Sequence, residues 1–181
     1  MRSAPVGLVY KDSEKAFQVA SECAAITHGH PTGYLAAGTL SALISRIISG
    51  DSLLDAIDES LLILKTEKNN KETLESIDNV LNMVDKHTPG PDVIENIGAG
   101  WVAEEALAIS IYCALVAKDD FKKGVLLSVN HSGDSDSTGS ITGNILGALY
   151  GVEILPENWV ANLELKDLIE EIACDLFAQF Q

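Results

Sequence analysis

Aromatic residues are scarce in this chain, at 6% of 181 positions. Sheet proteins fill their faces with aromatic and β-branched pairs, and no stretch here alternates apolar and polar residues over a strand's length. Small apolar side chains are abundant instead, which favours closely packed helices. Basic residues are also few: 12 Lys and Arg stand against 27 Asp and Glu, for a formal charge of −15 and a pI ≈ 4.4. That sign repels a phosphate backbone and recruits cations, so nucleic acid is excluded as a partner class. No run approaches the length of uninterrupted apolar residues that a membrane span needs, and no charged-then-apolar leader opens the residues given. The expectation is a cytoplasmic protein with no membrane contact. Cysteine is limited to Cys23, Cys113 and Cys174. They are distant from one another and odd in number, and each falls in an apolar helical pattern. They are expected to be buried thiols in a reducing compartment, not a disulfide framework or a zinc site.

What the chain does have is helical periodicity. Hydrophobic residues make up 46% of it, enough for one domain with a sizeable core. The apolar opening Met1–Tyr10, with Pro5 and Gly7, reads as a buried loop from inside a larger domain. Asp12 or Ser13 caps a helix to about Thr27. Pro31 opens another to Ile48, where Gly33, Ala36, Ala37, Gly38 and Ala42 let other backbones come close, so it is placed centrally. Helices follow from Asp51 to about Lys65 and around Leu74–Val84. Thr88-Pro89-Gly90-Pro91 breaks the pattern, and residues 92–100 read as a loop. Trp101 opens a nearly all-apolar, buried helix to about Ala117. Asp119 or Asp120 caps the next, which ends near Asn130. A helix then runs to Gly151, Pro156 and Trp159 mark a turn, and an amphipathic helix spans Leu165–Phe180. The predicted fold class is all-α, a single-domain multi-helix bundle.

The densest chemistry lies in His131-Ser132-Gly133-Asp134-Ser135-Asp136-Ser137-Thr138-Gly139-Ser140. A helix start needs one capping oxygen, and five consecutive residues here offer one. The excess points to a hard cation held by oxygen, with an elaborate cap as the competing reading. Asp134, Asp136 and Gly139 match positions one, three and six of a calcium loop, but Ile145 stands at the twelfth, where a carboxylate is required. That excludes an EF-hand. Thr27-His28-Gly29-His30 puts two imidazoles at a helix junction, either as structural residues or as ligand contacts. Gly98-Ala99-Gly100-Trp101-Val102-Ala103 fits G-x-G-x-x-A but lacks the preceding strand of a dinucleotide fold. It reads as a tight packing turn, or as a helix entrance offering N–H groups to a diphosphate. Of Glu104 and Glu105, one should face inward, paired with Arg46 or Arg2 or serving a site.

Taken in order, Met1-Arg2-Ser3-Ala4-Pro5, Thr27-His28, Gly98 to Ala106, Gly133-Asp134-Ser135-Asp136-Ser137 and Gly143 to Gly151 with Pro156 and Trp159 resemble the ADP-ribosylglycohydrolase family of dinitrogenase-reductase-activating glycohydrolases. The resemblance spans nearly the whole chain, and its most specific part is the G-D-x-D-S element. It implies an all-α fold and a dinuclear Mg²⁺ or Mn²⁺ site, with Asp134, Asp136 and Ser137 as metal ligands. It also implies that His28, Gly98, Gly100 and Trp101 bind substrate. The family's other metal half, a Thr-Asp-Asp run, lies upstream of the element that Met1–Pro5 resembles. The chain is therefore expected to be the C-terminal portion of the domain, residues 1–181, incomplete at the N-terminus and carrying half of the ligands. Self-association or a complementing chain would follow. The implied function is metal-dependent hydrolysis of glycosidic ADP-ribose links on protein or small-molecule acceptors, with the catalytic base unassigned. The alternative is a non-catalytic module that binds ADP-ribose or a protein partner.

Overall fold

The computed structural model describes residues 1–180, which form eleven α-helices joined by short loops. α3 (Pro31–Ile48) and α7 (Ala103–Ala117) are the axes. α3 packs against α1 (Ala4–Val9), α2 (Ser13–Ala25), α4 (Leu53–Thr66), α5 (Lys71–Leu81), α7 and α9 (Ser135–Tyr150). Its small residues make this possible. A Cβ on Gly38 would meet the Phe17 carbonyl oxygen at 2.9 Å, and one on Gly7 would meet the Ser41 carbonyl at 2.5 Å. α1 is stitched to α3 by Ser41 Oγ donating to the Ser3 carbonyl (2.6 Å) and Ser45 Oγ donating to the Tyr10 carbonyl (2.7 Å).

α7 is apolar around its whole circumference, and Ala106 to Ala114 are all buried in it. α5, α8 (Phe121–Val129) and α9 surround it. Three helix starts follow ordinary side-chain capping. Asp12 accepts from the N–H of Glu14 and Lys15, Ser52 from Asp55, and Asp120 from Lys123.

Four expectations need correction. Residues 1–10 are not a loop, because α1 forms there behind Pro5 in the first turn. Residues 92–100 hold α6 (Pro91–Ile97), in which the proline again starts the helix and only Ile94 is buried. Pro156 leads into a short helix, α10 (Glu157–Ala161), rather than a bare turn. Of the cysteines only Cys113 is buried. Cys23 and Cys174 are exposed, because α2 turns that face to solvent and α11 (Lys166–Phe180) buries no residue at all.

Candidate functional site

Two loops meet at the N-terminal end of α9. One is the glycine turn after α6, and the other is the acidic turn after α8. The Asp134 N–H donates to the Ala99 carbonyl at 2.8 Å. Gly133 is required there, since any Cβ on it would strike that same carbonyl. Gly100 adopts φ +74, a left-handed conformation suited to glycine, and its open side faces Thr138 and Asp134. The Gly98–Trp101 loop and the turn that carries Asp134, Asp136 and Ser137 are thus neighbours.

Asp134 starts α9 but closes no side-chain cap onto the helix. Its carboxyl is held below the usual carboxylate range, first by a hydrogen bond from the Asp136 carboxyl, then by the Ser137 hydroxyl. Asp134, Asp136 and Ser137 lie within one helical turn, at the N-cap and in the first turn of α9. Among the described residues, no three or more His, Cys, Asp or Glu side chains gather as a metal-holding group. The amino group of Met1 is also close enough to interact with Asp134.

The bonds beneath this turn are ones that no motif announces. Thr138 is fully buried. Its hydroxyl donates to the Ser128 carbonyl at 2.6 Å, while its own carbonyl accepts from Ser110 Oγ of α7 at 3.1 Å. The Gly133 N–H donates to His131 Nδ1 (3.1 Å), which makes Nδ1 the acceptor and leaves Nε2–H to face the Thr138 hydroxyl at 3.1 Å. Glu105 accepts from the N–H groups of both Ala99 and Gly100, each at 3.0 Å. Those two amides are therefore already satisfied and not free for a diphosphate, which favours the packing-turn reading for them.

Among the described residues neither glutamate pairs with arginine. Arg46 is bonded to Asp51 at 2.6 Å, and Glu104 buries an unpartnered Oε2. Trp101 is 73% exposed, so it does not belong to the core. His28 lies at the α2–α3 corner, exposed, with Nδ1 2.8 Å from the Thr27 hydroxyl and its Cβ against Gly33. No hydrogen bond joins it to the acidic turn among the described residues.

Fold and site together define an all-helical domain with a paired-carboxylate turn docked on a glycine loop. The chain belongs to the ADP-ribosylglycohydrolase family, whose model matches residues 1–181. It is 30% identical to a protein of Archaeoglobus fulgidus over 98% of this chain and 56% of that one. It is 24% identical to ADP-ribosyl-[dinitrogen reductase] glycohydrolase of Rhodospirillum rubrum over 79% of this chain and 42% of the relative. Against human ADP-ribosylhydrolase ARH3 the identity is 23%, over the whole of this chain and 57% of the relative. The chain thus spans about half the length of the curated relatives it matches.

Proposed function

We propose that this chain carries the cation-holding turn of a hydrolase that cleaves glycosidic ADP-ribose links. The observation that carries the reading is the placement of Asp134, Asp136 and Ser137 at the start of α9, with the Asp134 N–H tied to the Ala99 carbonyl of the glycine loop at 2.8 Å. The names of the Rhodospirillum and human relatives support ADP-ribose as the group acted upon.

The donor set fits Mg²⁺ or Mn²⁺ in kind, since two carboxylates and a hydroxyl are hard oxygen donors. It supplies three oxygens where six are wanted, so water or other protein groups complete the shell of each ion. A divalent cation held there supplies Lewis acidity and a more acidic bound water. The chain's own residues set the geometry. Thr138 and Ser110 tie the first turn of α9 to α8 and α7, and Glu105 stiffens the glycine loop. The exposed ring of Trp101 offers an apolar face for substrate beside that loop. Gly98 and Gly100 shape the approach, and His28 contributes from the α2–α3 corner.

The test pairs binding with turnover. Mn²⁺ binding, followed by the loss of its free spin-resonance signal, should fall at least tenfold in Asp134→Asn and in Asp136→Asn, with folding intact by circular dichroism. ADP-ribose release from an ADP-ribosylated peptide should require the metal, whether the chain is assayed alone or within a full-length domain. Metal-independent release, or Mn²⁺ binding indifferent to both substitutions, would overturn the reading. Calorimetric ADP-ribose binding without turnover in the full-length domain would give the non-catalytic alternative.

A further inference from the structure

A groove of about 1000 Å³ runs between α2 and α4 over the start of α3. That is at the upper end of small-ligand sites, and none of the acidic-turn residues lines it. Its floor is apolar: Phe17 and Leu35 are buried, Tyr34 and Ile63 half-buried, and Leu62 is 55% exposed. Its rim has one sign. Glu14 and Glu22 stand on the α2 side and Glu59 and Glu67 on the α4 side, while no Lys or Arg lines it.

The spacing repeats on the two walls. Each glutamate pair is eight residues apart, roughly 12 Å at the rise of a helix. None of the four forms an ion pair among the described residues, where the ion pairs are Arg46–Asp51 and Lys71–Glu75. Glu22 accepts from Gln18 at 2.9 Å, and Lys15, the nearest α2 cation in sequence, reaches only Gln18 at 3.4 Å. Ser21, at the groove, has a hydroxyl with no hydrogen-bond partner. A carboxylate rim of this kind repels a nucleotide diphosphate, so the groove is not a second nucleotide site.

We infer that this groove docks a cationic amphipathic helix of a partner protein, with an apolar face seated on Phe17, Tyr34, Leu35 and Leu62 and Lys or Arg residues flanking it toward the two glutamate pairs. The mode is helix-in-groove recognition. Charge decides the occupant. A second copy of this chain, at −15, would bring like charge to the rim, whereas a basic helix neutralises four carboxylates that have no cationic partner.

The experiment measures anisotropy of a fluorescein-labelled 18-residue Leu/Lys amphipathic peptide added to the intact protein in 150 mM NaCl. Binding should weaken at least tenfold in Leu62→Asp and in the double variant Glu59→Lys with Glu67→Lys. All these side chains are exposed, and unchanged melting temperatures would show that the variants fold. The control is Glu170→Lys with Glu171→Lys on α11, which removes the same charge elsewhere and should leave affinity within twofold. A peptide of the same composition, shuffled to lose its apolar face, should bind at least tenfold more weakly. Equal losses in the groove and control variants would show bulk charge attraction and overturn the proposal, as would an unaffected Leu62→Asp. Sedimentation showing self-association abolished by Leu62→Asp would also overturn it, by placing a second copy in the groove.

Discussion

Gly133 and Gly147 share a residue type and little else. At Gly133 an added Cβ would strike the Ala99 carbonyl, whereas at Gly147 it would meet nothing within 4 Å. Gly133→Ala should therefore push the glycine loop off the acidic turn. It should lower the melting temperature by several degrees, the signature of about 2 kcal/mol in a chain of this size. Gly147→Ala lies inside α9 and should be neutral or stabilise by up to about 1 kcal/mol. Thermal melts of the two variants side by side check both, and equal shifts would contradict this account of the turn. The cysteines separate as sharply. Burial pushes the Cys113 thiol up to about 12, so a thiolate reagent at pH 8 should titrate two thiols in the native state and three after unfolding. The acidic turn was legible in sequence because its carboxyls and hydroxyls are adjacent along the chain. The partners of Thr138, His131, Ser110 and Glu105 were not, because a side chain's sequence does not name what it bonds to and those partners lie up to 28 residues away.

Among the elements, α3 and α7 were the easiest to anticipate, one from its small residues and the other from its unbroken apolar surface. α1 and α6 were missed because each is only six or seven residues long, too short to show a period, and each is started by a proline that also reads as a breaker. α11 was anticipated as an amphipathic helix, but not where its apolar side would lie. Leu165, just ahead of it, and Leu168, Ile169, Ile172, Phe177 and Phe180 within it are 48–67% exposed, and α11 packs mainly against α1. A 15-residue helix with so little cover draws little stability from the rest of the chain. Deleting residues 163–181 should remove about one helix's worth of circular dichroism yet shift the melting temperature of the remaining helices by under about 3 °C. It should also abolish much of the binding of an apolar-surface dye. A collapse of the whole fold on deletion would show that α11 is integral to the core.

At the scale of the whole molecule, charge is the dominant long-range term. With 27 acidic residues against 12 basic, and ion pairs among the described residues confined to Arg46–Asp51 and Lys71–Glu75, salt has much repulsion to screen and little attraction to weaken. Raising NaCl from about 10 to 300 mM, a change in screening length from roughly 30 to 6 Å, should therefore raise the melting temperature. Mg²⁺ at matched ionic strength should raise it further through binding to the folded state alone, and that extra increment should vanish in Asp134→Asn while the NaCl effect persists. The pH dependence has a definite sign. Asp134 titrates below its ordinary value in the folded chain, so its contribution to stability is fully present above about pH 4 and is lost as pH falls through the lowered native value. The Mg²⁺ increment should be level between pH 6 and 8 and gone by about pH 3, since protonated carboxyls do not hold the ion. An increment that survives in Asp134→Asn would mean that Mg²⁺ acts only as a stronger screening ion on an acidic surface, and the acidic turn would then be no ion site.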